Sequence, residues 1–122
     1  MHALIGDVRL ETKNAGLLIL ADQISSLTEI LVKASVDDRL AASAPYLTMV
    51  SVMTCGWLME RQRTAATELI ANGQVSPSFL KAKIATVNWY LAHIVPEATG
   101  LAVSVSEGGK GLYDLNTEEL SV

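Results

Sequence analysis

Three stretches of the chain repeat apolar residues at the spacing of a helix face. In the first, Leu17, Leu20, Ile24, Leu27, Leu31 and Ala34 advance by alternating steps of 3 and 4, the stripe of an α-helix packed lengthwise against neighbours. This predicts a helix from about Ala3 to Ala34. No Ser, Thr, Asp or Asn stands before Ala3 as an N-cap, so the chain is expected to open partway along a helix. Ser35 and Asp37 then predict a stop and a fresh cap, with a short connecting helix to about Ser43. Pro45, well placed at a first turn, opens a second long helix that runs to Ala71 and stops at Asn72-Gly73. The third begins with Ser76 as cap and Pro77 at its first position, and carries Leu80, Ile84, Val87, Leu91, Ile94, Ala98, Leu101 and Val105 in steps of 4 and 3. Because that seam continues through Pro96, the proline predicts a kink rather than an end, and Gly108-Gly109 close the helix.

No run alternates apolar and polar residues with period 2, so no strand is expected. The fold class is therefore all-α: an antiparallel up-and-down bundle of three long helices plus a short connecting helix. It is assigned to residues 1–110. Residues 111–122 form a tail with one turn capped by Asn116 or Thr117.

Composition narrows the class further. With 122 residues, 50% hydrophobic and 18% charged, the chain suits one domain able to offset its ordering entropy by burial. Cys55 stands alone, which excludes an internal disulfide framework and a multi-cysteine zinc site. The first residues carry Asp7, Arg9, Glu11 and Lys13 and lack the plan of a secretory signal, so a cytoplasmic location and a reduced Cys55 are expected. Leu40 to Met59 runs 20 residues without a charge, the length of a membrane span. Its Pro45, Gly56 and hydroxyl residues fit a central buried helix better, and no transmembrane segment is expected. A net charge of −4 supplies no field for nucleic acid.

Candidate chemistry is sparse. The chain holds no Gly-rich phosphate loop, no HExxH and no nucleophile elbow, so neither a catalytic residue nor a metal site is assigned. Charge is nevertheless uneven: residues 61–93 hold four basic side chains and one acidic, while both flanks are acidic. Arg61, Arg63, Lys81 and Lys83 are expected to flank the turn between the second and third long helices. There they could contact a ligand phosphate, with His93 as a further contact. A solvated basic face is the plainer reading of the same residues. Trp57, Trp89 and Tyr90 are expected as core or interface anchors, Gly56 as a close helix crossing, and Cys55 as a small buried hydrophobe.

Three stretches together carry a resemblance: Cys55-Gly56-Trp57-Leu58-Met59-Glu60-Arg61, then Phe79-Leu80-Lys81-Ala82-Lys83-Ile84-Ala85, then Tyr90-Leu91-Ala92-His93-Ile94-Val95-Pro96-Glu97-Ala98. In this order they resemble the helical domain at the C-terminus of acyl-CoA dehydrogenases, in the large-subunit branch that includes the methylthiopropanoyl-CoA dehydrogenases. The resemblance extends over the whole chain. It implies a place in fatty acid metabolism within an FAD-dependent oxidoreductase whose flavin and catalytic glutamate belong to a preceding core without counterpart here. The chain is thus expected to be an accessory domain, inactive alone and binding no cofactor by itself. Its apolar faces would dock on a dehydrogenase core or subunit or form a homodimer, with Arg61, Lys83 and His93 bordering the nucleotide end of CoA or FAD. The alternative is a stand-alone self-associating or partner-binding helical module with no acyl-CoA role.

Overall fold

The computed structural model describes residues 1–73 and 76–121. Six helices follow in order: α1 (His2–Glu11), α2 (Ala15–Lys33), α3 (Val36–Asn72), α4 (Pro77–Thr99), α5 (Ala102–Glu107) and α6 (Thr117–Leu120), with no strand among the described residues. The three long elements α2, α3 and α4 form the expected antiparallel bundle.

Its directions can be read from single contacts. Thr28 shares a hydrogen bond of 2.7 Å with Tyr46, while Leu17 at the other end of α2 meets Gly56, so α2 and α3 run antiparallel. Tyr90 reaches the carbonyl of Val52 and Arg63 reaches Asn88, which sets α4 antiparallel to α3. Val95 lies beside Gly16 and the Gln23 amide donates to the carbonyl of Thr99, so α2 and α4 are parallel. The core sits between them, built on the predicted stripes: Leu17, Leu20, Ile24 and Leu27 of α2 and Leu80, Val87, Leu91 and Ala98 of α4 are buried, with Met49 and Met53 from α3 between them.

Three boundaries differ from the sequence reading. The predicted first helix is two helices, because Thr12 leaves the helical conformation and the Asn14 side chain caps a new start by accepting the Leu17 N–H at 3.0 Å. This break folds α1 back along α2, where Arg9 pairs with Asp22 at 2.7 Å and Ile5 and Val8 enter the core. The expected connecting helix is instead the first turns of α3, capped by Ser35 through the Asp38 N–H, and the helix continues through Pro45. Ala42 and Met49, two turns apart on one face, are both fully buried, and their packing offsets the hydrogen bond that Pro45 removes. At the other end, α4 passes Pro96 but stops at Gly100, and α5 carries the seam onward with Leu101 and Val105.

Gly73 closes α3 in the left-handed conformation with φ 67°, as Asn72-Gly73 predicted. Ser76 precedes α4, but its hydroxyl lies against Ser78 rather than capping the backbone. Gln74 and Val75 of that turn, and Val122 of the tail, lie outside the described residues. Asn116 caps α6 in a reciprocal capping box with Glu119.

By length and a mean hydropathy of 1.5, α2 is the one helix among the described residues apolar enough to cross a bilayer. Part of that apolarity is the bundle's core stripe, Leu17, Leu20, Ala21, Ile24 and Leu27, and part of it, Ile19, Ile30 and Val32, stands in solvent.

Candidate functional site

The break between α1 and α2 creates the most polar interior of the molecule. Among the described residues Thr12 and Glu60 are the two buried polar ones, and the Thr12 hydroxyl donates to Glu60 Oε2. Glu60 Oε1 accepts the Lys13 N–H at 3.2 Å and lies 3.4 Å from Arg63 Nη2. The Thr12 hydroxyl oxygen also accepts the Asn14 N–H at 3.1 Å. A carboxylate projecting from α3 thus satisfies a backbone donor that the helix break would otherwise leave unpaired.

A second polar group lies one turn away. The Trp57 indole N–H donates to Glu11 Oε2 at 2.9 Å, and Arg61 Nε is 3.6 Å from the same oxygen. The Arg61 guanidinium also stands 5.4 Å over the Trp57 ring, in range of a cation–π contact. These residues line an open cleft of about 470 Å³ with Lys13, Thr64, Ala65 and Glu68. Three cations, Lys13, Arg61 and Arg63, there face three carboxylates, Glu11, Glu60 and Glu68. The cleft has an aromatic side and two planar guanidinium groups, an arrangement suited to positioning a polar ligand.

The four cations that the sequence placed at one corner are divided. Arg61 and Arg63 belong to this cleft, whereas Lys83 lines a smaller one of about 290 Å³ with Met59, Gln62, Phe79, Thr86 and Val87. At 100° per residue, Met59 and Gln62 occupy the side of α3 opposite Trp57, Arg61 and Thr64, so Lys83 and Arg61 cannot grip one small anion. Lys81 is exposed, outside both clefts.

His93 stacks on Trp89 along α4, ring centroids 5.0 Å apart, and Trp89 is 57% exposed rather than a core anchor. Gly56 is buried at a close crossing: a side chain there would stand 2.8 Å from Leu17 Cδ2 and 3.5 Å from the Tyr90 ring. Tyr90 is half-buried with its hydroxyl directed at the Val52 carbonyl, and burial, then the adjacent Cys55, raises its pKa above the usual phenol value. Cys55 itself is exposed, not the buried hydrophobe expected, and lies at the edge of the contact between α3 and Tyr90 of α4. No group of three metal-ligating side chains is assembled among the described residues.

Sequence reasoning overlooked Thr12, Glu11 and Glu60. The run Thr12-Lys13-Asn14 ahead of an apolar stretch was a legible cap signal. Nothing local marked Glu60, since it stands among charged neighbours and its burial depends on a joint 47 residues away.

The family model described as acetyl-CoA dehydrogenase C-terminal like matches residues 1–116. The chain belongs to that family. No curated protein and no solved structure gives a match. The matched span of this C-terminal-like domain takes in α1 to α5 and both clefts, and α6 follows it.

Proposed function

We propose that this C-terminal-like domain is an accessory, non-catalytic part of an acyl-CoA dehydrogenase. It covers its apolar faces against a dehydrogenase core or a second copy, and its polar cleft borders the nucleotide end of CoA. The family match over residues 1–116 carries the reading. Large apolar side chains left in solvent support it: Leu40, Leu47 and Leu58 on α3, Phe79 and Trp89 on α4.

The cleft supports a border role and not a whole cofactor site. Its cations already face Glu11, Glu60 and Glu68, and it offers no phosphate cradle of backbone N–H groups, so these residues do not by themselves fit a flavin. Of the two arginines in the cleft Arg61 is the freer to act: its pair with Glu11 spans 3.6 Å between side chains 59% and 48% exposed. Such a surface pair is weak, and a phosphate can replace it.

Calorimetry of the full chain with coenzyme A, with and without a separately produced acyl-CoA dehydrogenase core, tests the proposal. Heat is expected only with the core present, and Arg61→Ala reduces it. Binding to the core without any coenzyme A effect removes the nucleotide role, and absence of both core binding and self-association removes the accessory reading.

A further inference from the structure

Helix α3 carries a second seam on the side away from the core, in which large apolar side chains stand in solvent. Positions 37, 40, 44, 47, 51, 54, 58 and 61 follow heptad spacing, with Leu40, Ala44, Leu47 and Leu58 apolar, Ser51 and the half-buried Thr54 small and polar, and Asp37 and Arg61 at the ends. The core-facing residues of α3, Ala42, Met49, Met53 and Gly56, lie on a different side. Leu40 is 67% exposed, Leu47 65% and Leu58 43%, with Ala44 and Ser51 open to solvent between them. From Leu40 to Met59 α3 bears no charge, an uncharged length of roughly 30 Å at 1.5 Å per residue.

The seam is also self-complementary when reversed. Laid antiparallel against a copy of itself about a two-fold axis at position 49, it pairs Leu40 with Leu58, Ala44 with Thr54 and Leu47 with Ser51. Large side chains then meet each other or a small residue. The same register brings Asp37 opposite Arg61 at both ends, where it would compete with the exposed 3.6 Å pair that Arg61 makes with Glu11, so that opposite charges close a charge-free strip. A two-fold interface requires one patch to fit itself, and this palindrome meets that requirement.

We propose that the exposed face of α3 is the contact between two copies of this chain, paired antiparallel with Asp37 of one copy against Arg61 of the other. The inference rests on the reading that the domain works by covering apolar faces, and it assigns one face to one occupant. Ile19, Ile30 and Val32 of α2 and Phe79 and Trp89 of α4 are exposed as well, but the α3 seam is the one whose own sequence pairs with itself when reversed.

Sedimentation velocity of the full chain at micromolar concentration tests it first. A dimer is expected, and Leu47→Glu converts it to a monomer with unchanged helical circular dichroism, since Leu47 lies outside the core. Asp37→Arg weakens the dimer and adding Arg61→Asp restores it. For the register, Ala44→Cys with Thr54→Cys, in a Cys55→Ser background, is expected to form an intermolecular disulfide under mild oxidation. Within one helix the two thiols stand roughly 15 Å apart and cannot join. Ala44→Cys alone stays uncrosslinked in an antiparallel pair and crosslinks in a parallel one.

A monomeric wild-type chain, a dimer indifferent to Leu47→Glu, or crosslinking of the single variant overturns the proposal. If the chain is monomeric yet binds the dehydrogenase core, and Leu47→Glu abolishes that binding, the face serves the core and the accessory reading survives. If it is monomeric and floats with anionic phospholipid vesicles through this face, the occupant is a lipid surface and this inference fails.

Discussion

Two carboxylates of α3 hold distant joints of the chain, and they do so in opposite surroundings. Glu60 accepts the Lys13 N–H at 3.2 Å where α1 turns into α2, and Asp38 accepts the Gly109 N–H at 2.8 Å just past α5. Glu60 is buried, and the Thr12 hydroxyl and Arg63 are its further partners. Asp38 sits at the surface in the first turn of α3, with the Ser35 hydroxyl on its second oxygen at 2.8 Å. The bonds are alike, but Glu60 and its partner Thr12 are both buried, so water competes less for that bond than for those of Asp38. Burial, more than bond geometry, therefore decides what each joint contributes.

Substitutions that separate the two joints sharpen the contrast. The largest effect is expected from Glu60→Ala, which takes the acceptor from the Lys13 N–H and the buried Thr12 hydroxyl, while Arg63 keeps Asn88. Losing both bonds costs about 3 kcal/mol, measured as a lowered urea midpoint. Thr12→Val removes one partner and leaves the Asn14 N–H unpaired, at about 2 kcal/mol in the same measurement. Gly108→Ala attacks the other joint through its backbone. Gly108 has φ 57°, and an added Cβ would stand 3.0 Å from Asp38 Oδ1, so roughly 1–2 kcal/mol is expected.

Asp38→Asn has the smallest effect, a faster hydrogen exchange of the Gly109 amide without a shift in the global transition. Acid reaches the same bond. The Gly109 N–H, then the Ser35 hydroxyl, hold the Asp38 carboxyl below its ordinary value of 3.8, with the Lys110 charge adding to them and desolvation opposing. Because its folded pKa is depressed, the contribution of Asp38 is complete above about pH 3.8 and fades as pH falls through the lower folded value. The Gly109 amide shift in a pH titration by NMR should therefore stay flat through the ordinary carboxylate range and move only in stronger acid.

The bundle itself was legible because its stripes are local. Leu17 to Leu27 and Leu80 to Val105 record in spacing alone which face turns inward, and Asn72-Gly73 and Asn116 mark their ends by backbone chemistry. Pro45 misled, since its cost is a single hydrogen bond, whereas Ala42 and Met49 on either side of it gain a core that spacing could not weigh. The candidate cleft was half visible. Arg61, Arg63 and Trp57 stood out by type, but Glu11 and Glu60, which neutralise and orient them, are brought there only by the fold-back of α1. Lys83 was grouped with Arg61 by proximity in sequence, and helical rotation sends it to the other side of α3.

The apolarity of α2 has a consequence for how the chain is made. Its stripe is fully covered only when α3 and then α4 have been added, and α4 ends at Thr99. A ribosome adding about 5–20 residues per second needs several seconds to reach that point from Lys33. Through that interval α1 is the element of this domain that lies against α2, folded back on it by the Thr12–Asn14 break and tied by Arg9 to Asp22. Within this domain α1 is therefore the first cover that the α2 stripe receives, in place before the bundle it belongs to exists.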